Sequence, residues 1–159
     1  MATVHTMLSE SEWTPLLLSN LANEVIHSAL QALPRPTAVT VNVADSAVQV
    51  TPEQAHDLAL VINELTTNAM KHALSVRDAV QISVNVAQAD DTTKLEMRND
   101  GPDYPVDVLR KERFGTGFDL VENIVHRSLG GELTLHNDHG AVAVIQFKTE
   151  TTQHGEDSV

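Results

Sequence analysis

One segment limits the folding options more than any other: Leu58-Ala59-Leu60-Val61-Ile62-Asn63-Glu64-Leu65-Thr66-Thr67-Asn68-Ala69-Met70-Lys71-His72-Ala73. It contains no glycine or proline, so nothing interrupts a helix. At 100° per residue, Leu58, Ile62, Leu65, Ala69 and Ala73 share one face. Glu64, Asn68 and His72, spaced i, i+4, i+8, share another, with Lys71 beside them. The first face demands an apolar layer to pack on. The second places a carboxylate, an amide, an imidazole and a cation along one stripe. An amide oxygen beside a carboxylate suits Mg²⁺, a hard cation that takes oxygen ligands. A lysine one turn further on suits phosphate oxygens. From these residues alone, the stripe fits a solvated helix face equally well.

The flanking sequence supplies the layer. Thr51 is placed to cap this helix, with Pro52 at its first position and Glu53 in its first turn, and the periodicity runs to about Leu74. Upstream, residues 9–33 carry a helical pattern through Trp13, Leu16, Leu17, Leu21, Val25, Leu30 and Leu33. Ser9 and Glu12 have capping-box spacing, and Pro34 and Pro36 stop the pattern. Strands are expected over 37–42 and 47–50, around a turn at Ala44-Asp45-Ser46. Two more are expected over 79–86 and 94–98, around a polar turn at 88–93. A loop over 101–114 then leads to a third helix over 117–129, ended by Gly130-Gly131. A last hairpin pairs 132–136 with 141–148 around Asn137-Asp138-His139-Gly140. Strands in adjacent pairs between helices predict an α+β fold. The expected form is a two-layer α/β sandwich with a mixed, mostly antiparallel sheet and three helices on one face. Residues 1–148 are expected to form a single domain, and residues 149–159 a flexible tail.

Composition removes other options. The 159 residues include no cysteine, so disulfides, thiolate metal sites and a cysteine nucleophile are excluded. The formal net charge of −12 argues against nucleic acid and against anionic membranes as partners. No apolar run approaches the roughly 18 residues of a membrane span, so direct membrane insertion is not expected. The first dozen residues lack the layout of a signal peptide, and the expected location is cytoplasmic.

Two glycine-bearing segments add chemistry. Asn99-Asp100-Gly101-Pro102-Asp103 follows a strand, and Gly115-Thr116-Gly117-Phe118 precedes a helix. Glycines let backbone N–H groups approach a ligand, and a helix N-terminus favours anions. Such segments are also what ordinary turns look like. Neither matches a Walker loop or a dinucleotide fingerprint.

Taken in order, these pieces resemble the GHKL ATPases, a superfamily that includes histidine kinases, gyrase-type ATPases and MutL. Residues 64–73 resemble its N box, residues 99–102 its first glycine box, and residues 115–121 with Gly130-Gly131 its second. The wording of the N box and the short lid resemble the catalytic domains of HWE and related bacterial sensor histidine kinases. The likeness runs from about residue 5 to residue 148. It implies a Bergerat-type fold binding ATP with Mg²⁺. By matching position, it implies Glu64 as the group that acts as or assists a general base, and Asn68 as the metal ligand. Lys71 and His72 are implied as phosphate contacts, Gly115, Thr116 and Gly117 as the wrap around the phosphates, and Asn99 and Gly101 as the adenine end. Residues 104–114 would be the lid.

The resemblance further implies transfer of the γ-phosphate to a histidine on a dimerisation/phosphotransfer domain, with a response regulator downstream. No helical hairpin bearing such a histidine fits before Ser9, so the acceptor is expected on another segment or chain. The sequence departs from the family at Asn99, where aspartate is usual, at Asp103, where glycine is usual, and at Ala141, where threonine or serine often stands. An anti-sigma-factor-like serine kinase and a degenerate module without nucleotide are the competing readings.

Overall fold

The computed structural model describes residues 16–32, 38–73, 79–112 and 116–149. In chain order they form β1 (Leu16–Leu17), α1 (Leu18–Gln31), β2 (Ala38–Val43), β3 (Gln49–Val50) and α2 (Pro52–Ala73). β4 (Ala79–Ala89), β5 (Thr92–Asn99), α3 (Val106–Leu109) and α4 (Thr116–Asn123) follow, then β6 (Glu132–Asn137) and β7 (Ala141–Lys148).

The central helix starts where its sequence places the signal. Thr51 Oγ1 accepts from the Gln54 N–H at 3.2 Å, and Gln54 Oε1 accepts from the Thr51 N–H at 3.2 Å. This reciprocal pair satisfies two donors that the helix start leaves open. Gln54 Nε2 also donates to the Lys148 carbonyl at 3.1 Å, tying the helix start to the end of β7.

The main sheet has five strands in the order β2-β4-β5-β7-β6. β2 runs parallel to β4, while β4–β5, β5–β7 and β6–β7 are antiparallel. One core joins Val80, Ile82, Leu95, Leu133 and Ile145 of the sheet to Leu21 and Ile26 of α1, Leu58 and Ile62 of α2, and Phe118 and Val121 of α4. That is the expected α+β sandwich. On the opposite face, Val142 and Val144 are buried outside this core. Their cross-strand neighbours on β5 are Arg98 and Glu96, which are ion-paired at 3.2 Å. The stems of such long side chains can cover apolar surface while their charged ends stay wet.

The boundaries differ from the sequence pattern in several places. The first helix begins at Leu18, and Leu16 and Leu17 are strand, paired antiparallel with Val50 and Gln49. The Leu18 N–H donates to the Val48 carbonyl at 3.0 Å, so backbone pairing overrides the helical spacing there. Residues 9–15, with Trp13 and the Ser9–Glu12 spacing, lie outside the described residues, as do Leu33, Leu74 and the tail from 150 onward.

β2 and β3 do not form a hairpin, because each takes a different partner. The β4–β5 turn is only Asp90-Asp91, with Asp90 at φ 56°, a conformation aspartate tolerates better than most residues. The 101–114 stretch contains α3. The third helix begins at Thr116 and ends in a π-helical turn, Ile124–Ser128. There the Leu129 N–H reaches back to the Ile124 carbonyl at 3.0 Å, and the Gly131 N–H reaches Val125 at 2.8 Å. Gly130, at φ 63°, closes the helix in the left-handed conformation glycine permits.

Replacing Thr51 with Ala removes the acceptor for the Gln54 N–H and should cost about 1 kcal/mol. Thr51→Ser should recover most of it, and urea unfolding of the two variants measures the difference.

Candidate functional site

α2 presents Glu64 and Asn68 in a fixed direction because the rest of its surface is anchored. Ile62, Leu65 and Met70 are buried, and Thr66 Oγ1 donates back to the Ile62 carbonyl at 2.8 Å. Opposite them stands the first turn of α4. A Cβ added to Gly117 would lie 2.8 Å from Asn68 Nδ2 and 3.0 Å from Glu64 Oε2. With any other residue at 117, the Asn68 amide or the Glu64 carboxylate would have to move aside. Asn68 Nδ2 is buried and has no hydrogen-bond partner among the described residues. A buried amide group left unpaired is costly unless something else satisfies it. A half-turn of the amide presents its oxygen in the same place. The donor set here is thus a carboxylate oxygen, an amide and the N-terminal end of a helix, which suits Mg²⁺ and phosphate oxygens.

The second glycine segment closes the far end of α2. A Cβ on Gly101 would lie 2.9 Å from Ala73 Cβ and 2.9 Å from Asn99 Oδ1. Asn99 Oδ1 accepts from the Gly101 N–H at 2.9 Å. A carbonyl oxygen has two lone pairs, so one is left for a ligand amino group. Asp100 is tied to β4: its Oδ1 accepts from the Gln81 N–H at 2.8 Å, and its N–H donates to the Gln81 carbonyl at 3.2 Å. Gly140, at φ 128°, lies so close to the Asn99 carbonyl that no side chain would fit. Ala141 is buried directly across the β5–β7 ladder from Asn99.

The structure therefore gathers the sequence candidates into two groups. Glu64, Asn68 and Gly117 meet at one place, and Asn99 and Gly101 meet Ala73 at another. Lys71 and His72 lie on the last turn of α2, exposed, on the same helix as both groups. Thr116 is the first residue of α4, and Gly115 lies outside the described residues.

Contacts that the sequence did not single out fix the segment between the glycine boxes. Asn137 Oδ1 accepts from the Tyr104 N–H at 2.8 Å, and its Nδ2 donates to the Tyr104 carbonyl at 3.1 Å. The Tyr104 ring stands edge-on to Phe118, with centroids 5.7 Å apart and planes at 76°. Lys111 Nζ reaches the Leu133 carbonyl at 2.6 Å and pairs with Glu122 at 3.1 Å. No local pattern marks pairs so far apart in sequence.

A polar helix face opposed by a glycine at a helix start, on one side of a five-stranded mixed sheet, defines the class of α+β sandwich. Residues 53–152 match the family described as histidine kinase-, DNA gyrase B-, and HSP90-like ATPase, and the chain belongs to it. It is 30% identical over 112 residues to blue-light-activated histidine kinase 2 of Erythrobacter litoralis (strain HTCC2594). That match covers 69% of this chain and 32% of the relative, so the chain spans about a third of that protein's length. Among solved structures, the histidine kinase domain of the Erythrobacter litoralis EL346 blue-light activated histidine kinase superposes with a TM-score of 0.74 at 20% identity, over 97% of this chain and 72% of that one. The ATP binding domain of PrrB from Mycobacterium tuberculosis superposes with a TM-score of 0.65 at 22% identity, over 87% of this chain and 98% of that one. At these identities the superpositions establish the fold. Among the described residues, no helix is long and apolar enough to cross a membrane.

Tyr104 is the only tyrosine, and burial pushes its phenol from 10.0 up to about 12. The folded chain then holds this proton after the unfolded chain has released it. Stability from this group is full below pH 10 and is lost as pH rises from 10 to about 12, by roughly 2–3 kcal/mol. Tyr104→Phe should remove that part of the alkaline loss, as read from urea midpoints of both proteins at pH 9 and pH 11.5.

Proposed function

We propose that this chain is the ATP-binding catalytic domain of a cytoplasmic sensor histidine kinase. It would transfer the γ-phosphate of ATP to a histidine on a dimerisation/phosphotransfer domain, with a response regulator downstream. The observation that carries this reading is how near Gly117 lies to Asn68 and Glu64, where an amide, a carboxylate and a helix start stand together. Phosphoryl transfer asks mainly for positioning and charge neutralisation, and these are groups that do both.

Asn68 would hold Mg²⁺ through its amide oxygen, and the bound ion would neutralise charge on the phosphates. The backbone at Thr116 and Gly117 would receive phosphate oxygens at the start of α4, with Gly115 completing the wrap. Lys71 and His72 would add donors from the last turn of α2. Asn99, with one lone pair left on Oδ1, would accept from the adenine amino group beside Gly101. In the transfer, the bond from the γ-phosphorus to the bridging oxygen breaks and its electron pair leaves with ADP. A bond forms from that phosphorus to an imidazole nitrogen of the acceptor. Glu64 would orient that imidazole through its remaining N–H or take its proton.

One feature favours a second reading, a binding module that has lost nucleotide. At the adenine end a neutral amide replaces a carboxylate, and across from it Ala141 offers no hydroxyl. A charge-assisted hydrogen bond is roughly twice as strong as a neutral one, so this end grips less firmly.

Unfolding with and without Mg-ATP separates the two. Ligand at 100 times its dissociation constant should add about 2.7 kcal/mol. No shift at millimolar nucleotide supports the second reading and ends the first. Asn68→Ala should abolish the Mg²⁺-dependent part of nucleotide binding in calorimetry while the protein remains folded. Asn99→Asp should tighten ATP binding. Glu64→Gln should retain nucleotide and lose the acid-labile phosphohistidine formed on an added histidine-bearing dimerisation domain.

A further inference from the structure

We propose that Asn137, at the tip of the β6–β7 hairpin, is a positioning residue for the gap between Gly117 and Asn68. For its effect on ligand, this inference rests on the nucleotide reading above. Asn137 grips the backbone of Tyr104 at both polar groups, at 2.8 Å and 3.1 Å, as a neighbouring strand would. This fixes where the Tyr104 side chain leaves the backbone. The ring then sets its edge against Phe118 at 5.7 Å. Phe118 is buried in the core and is the residue directly after Gly117.

The chain of contact therefore runs from a hairpin tip to the turn whose bare backbone faces Asn68 and Glu64. At that turn the backbone stands close enough to Asn68 and Glu64 that a Cβ on Gly117 would lie 2.8 Å and 3.0 Å from their side-chain ends, so a shift of the turn alters the spacing of all three. The hairpin tip is itself held: Asp138 pairs with Arg98 at 3.5 Å, and Gly140 abuts the Asn99 carbonyl. Asn137 thus refers the first turn of α4 to the same strand ends that carry the first glycine box. Lys111, on Glu122 and the Leu133 carbonyl, fastens the later part of the connecting segment to α4 and β6. Val108 and Leu109 pack on the core between these points, and Tyr104 is the fastening nearest the first glycine box, aimed by Asn137.

The test uses Asn137→Ala, Tyr104→Ala and the double variant, with Mg-ADP affinity read by calorimetry. Asn137→Ala should weaken binding roughly tenfold, the scale of a lost pair of hydrogen bonds, and Tyr104→Ala, which loses the ring against Phe118, at least as much. Because Asn137 acts through the Tyr104 ring, the double variant should be no weaker than Tyr104→Ala alone. Additive losses, or an Asn137→Ala affinity equal to that of the parent, overturn the proposal. Asn137→Asp, which keeps the acceptor for the Tyr104 N–H and loses the donor, should fall between parent and Asn137→Ala.

A second readout needs no nucleotide. With the phenol of the sole tyrosine at about 12, roughly one-tenth of it is ionised at pH 11, against roughly nine-tenths for an unburied tyrosine. Asn137→Ala should raise the phenolate absorbance at pH 11 several-fold, with circular dichroism reporting the fold at the same pH. If either protein unfolds there, exchange of the Tyr104 amide hydrogen at neutral pH replaces it. That exchange should quicken at least tenfold in Asn137→Ala, while the Gly101 amide, held by Asn99, does not change. Unchanged phenolate absorbance, or an unchanged Tyr104 amide, removes Asn137 from this role. A parent protein that binds no Mg-ADP ends the nucleotide reading and leaves the phenolate and exchange measurements to decide this one.

Discussion

The close approach of a helix start to the side of another helix governs this molecule. Residue 117 lacks a side chain, so α4 begins beside α2 with the Asn68 amide and the Glu64 carboxylate left in place, and the core holds the other surfaces of α2. Everything behind this contact serves to keep it in place. The capping box at Thr51 and the stitch from Gln54 to Lys148 fix the start of α2. Ala73, packed under Gly101, fixes its end. The sheet supplies a rigid wall against which both helices are aligned, consistent with sites on regular elements being more accurately placed than sites on loops.

The two ends of the site are built differently. At the end proposed for phosphate, polar side chains of α2 face the first turn of α4. At the other end, backbone meets backbone: Gly101 on Ala73, Gly140 on the Asn99 carbonyl, Asp100 on Gln81. Two of the three departures from the family pattern, Asn99 and Ala141, fall at the second end, across one ladder from each other. There the shape is retained by close packing, and what changes is the polarity of one or two side chains. Under the proposed function, a site of this kind could change its grip on the base and leave the end proposed for phosphate undisturbed.

Much of this was legible beforehand, and the boundary between legible and hidden is physical. α2 was readable because a capping residue, a proline and sixteen uninterrupted residues of one period all agree. Gly117 was readable only as one option, since a glycine before a helix is also what an ordinary turn requires, and its approach to α2 had no local signal. Leu16 and Leu17 were not readable as strand, because their helical spacing is real and only the distant β3 overrides it. For the same reason β2 and β3 looked like a hairpin: adjacency in sequence suggested partners, while the actual partner of β2 lies beyond α2. Asn137 and Tyr104, thirty-three residues apart, meet through side chain and backbone, and no periodicity encodes that.

The π-helical turn at Ile124–Ser128 settles a geometrical conflict within one helix. Its first turn answers to Asn68 and Glu64, while its last residues must bury Leu129 and deliver the chain to β6. A uniform α-helix ties these two demands together, since each residue advances the rotation by a set angle. One wider turn lets the two ends be phased separately. Changes in the sheet can then be absorbed at the back of the helix without turning its front away from Asn68 and Glu64.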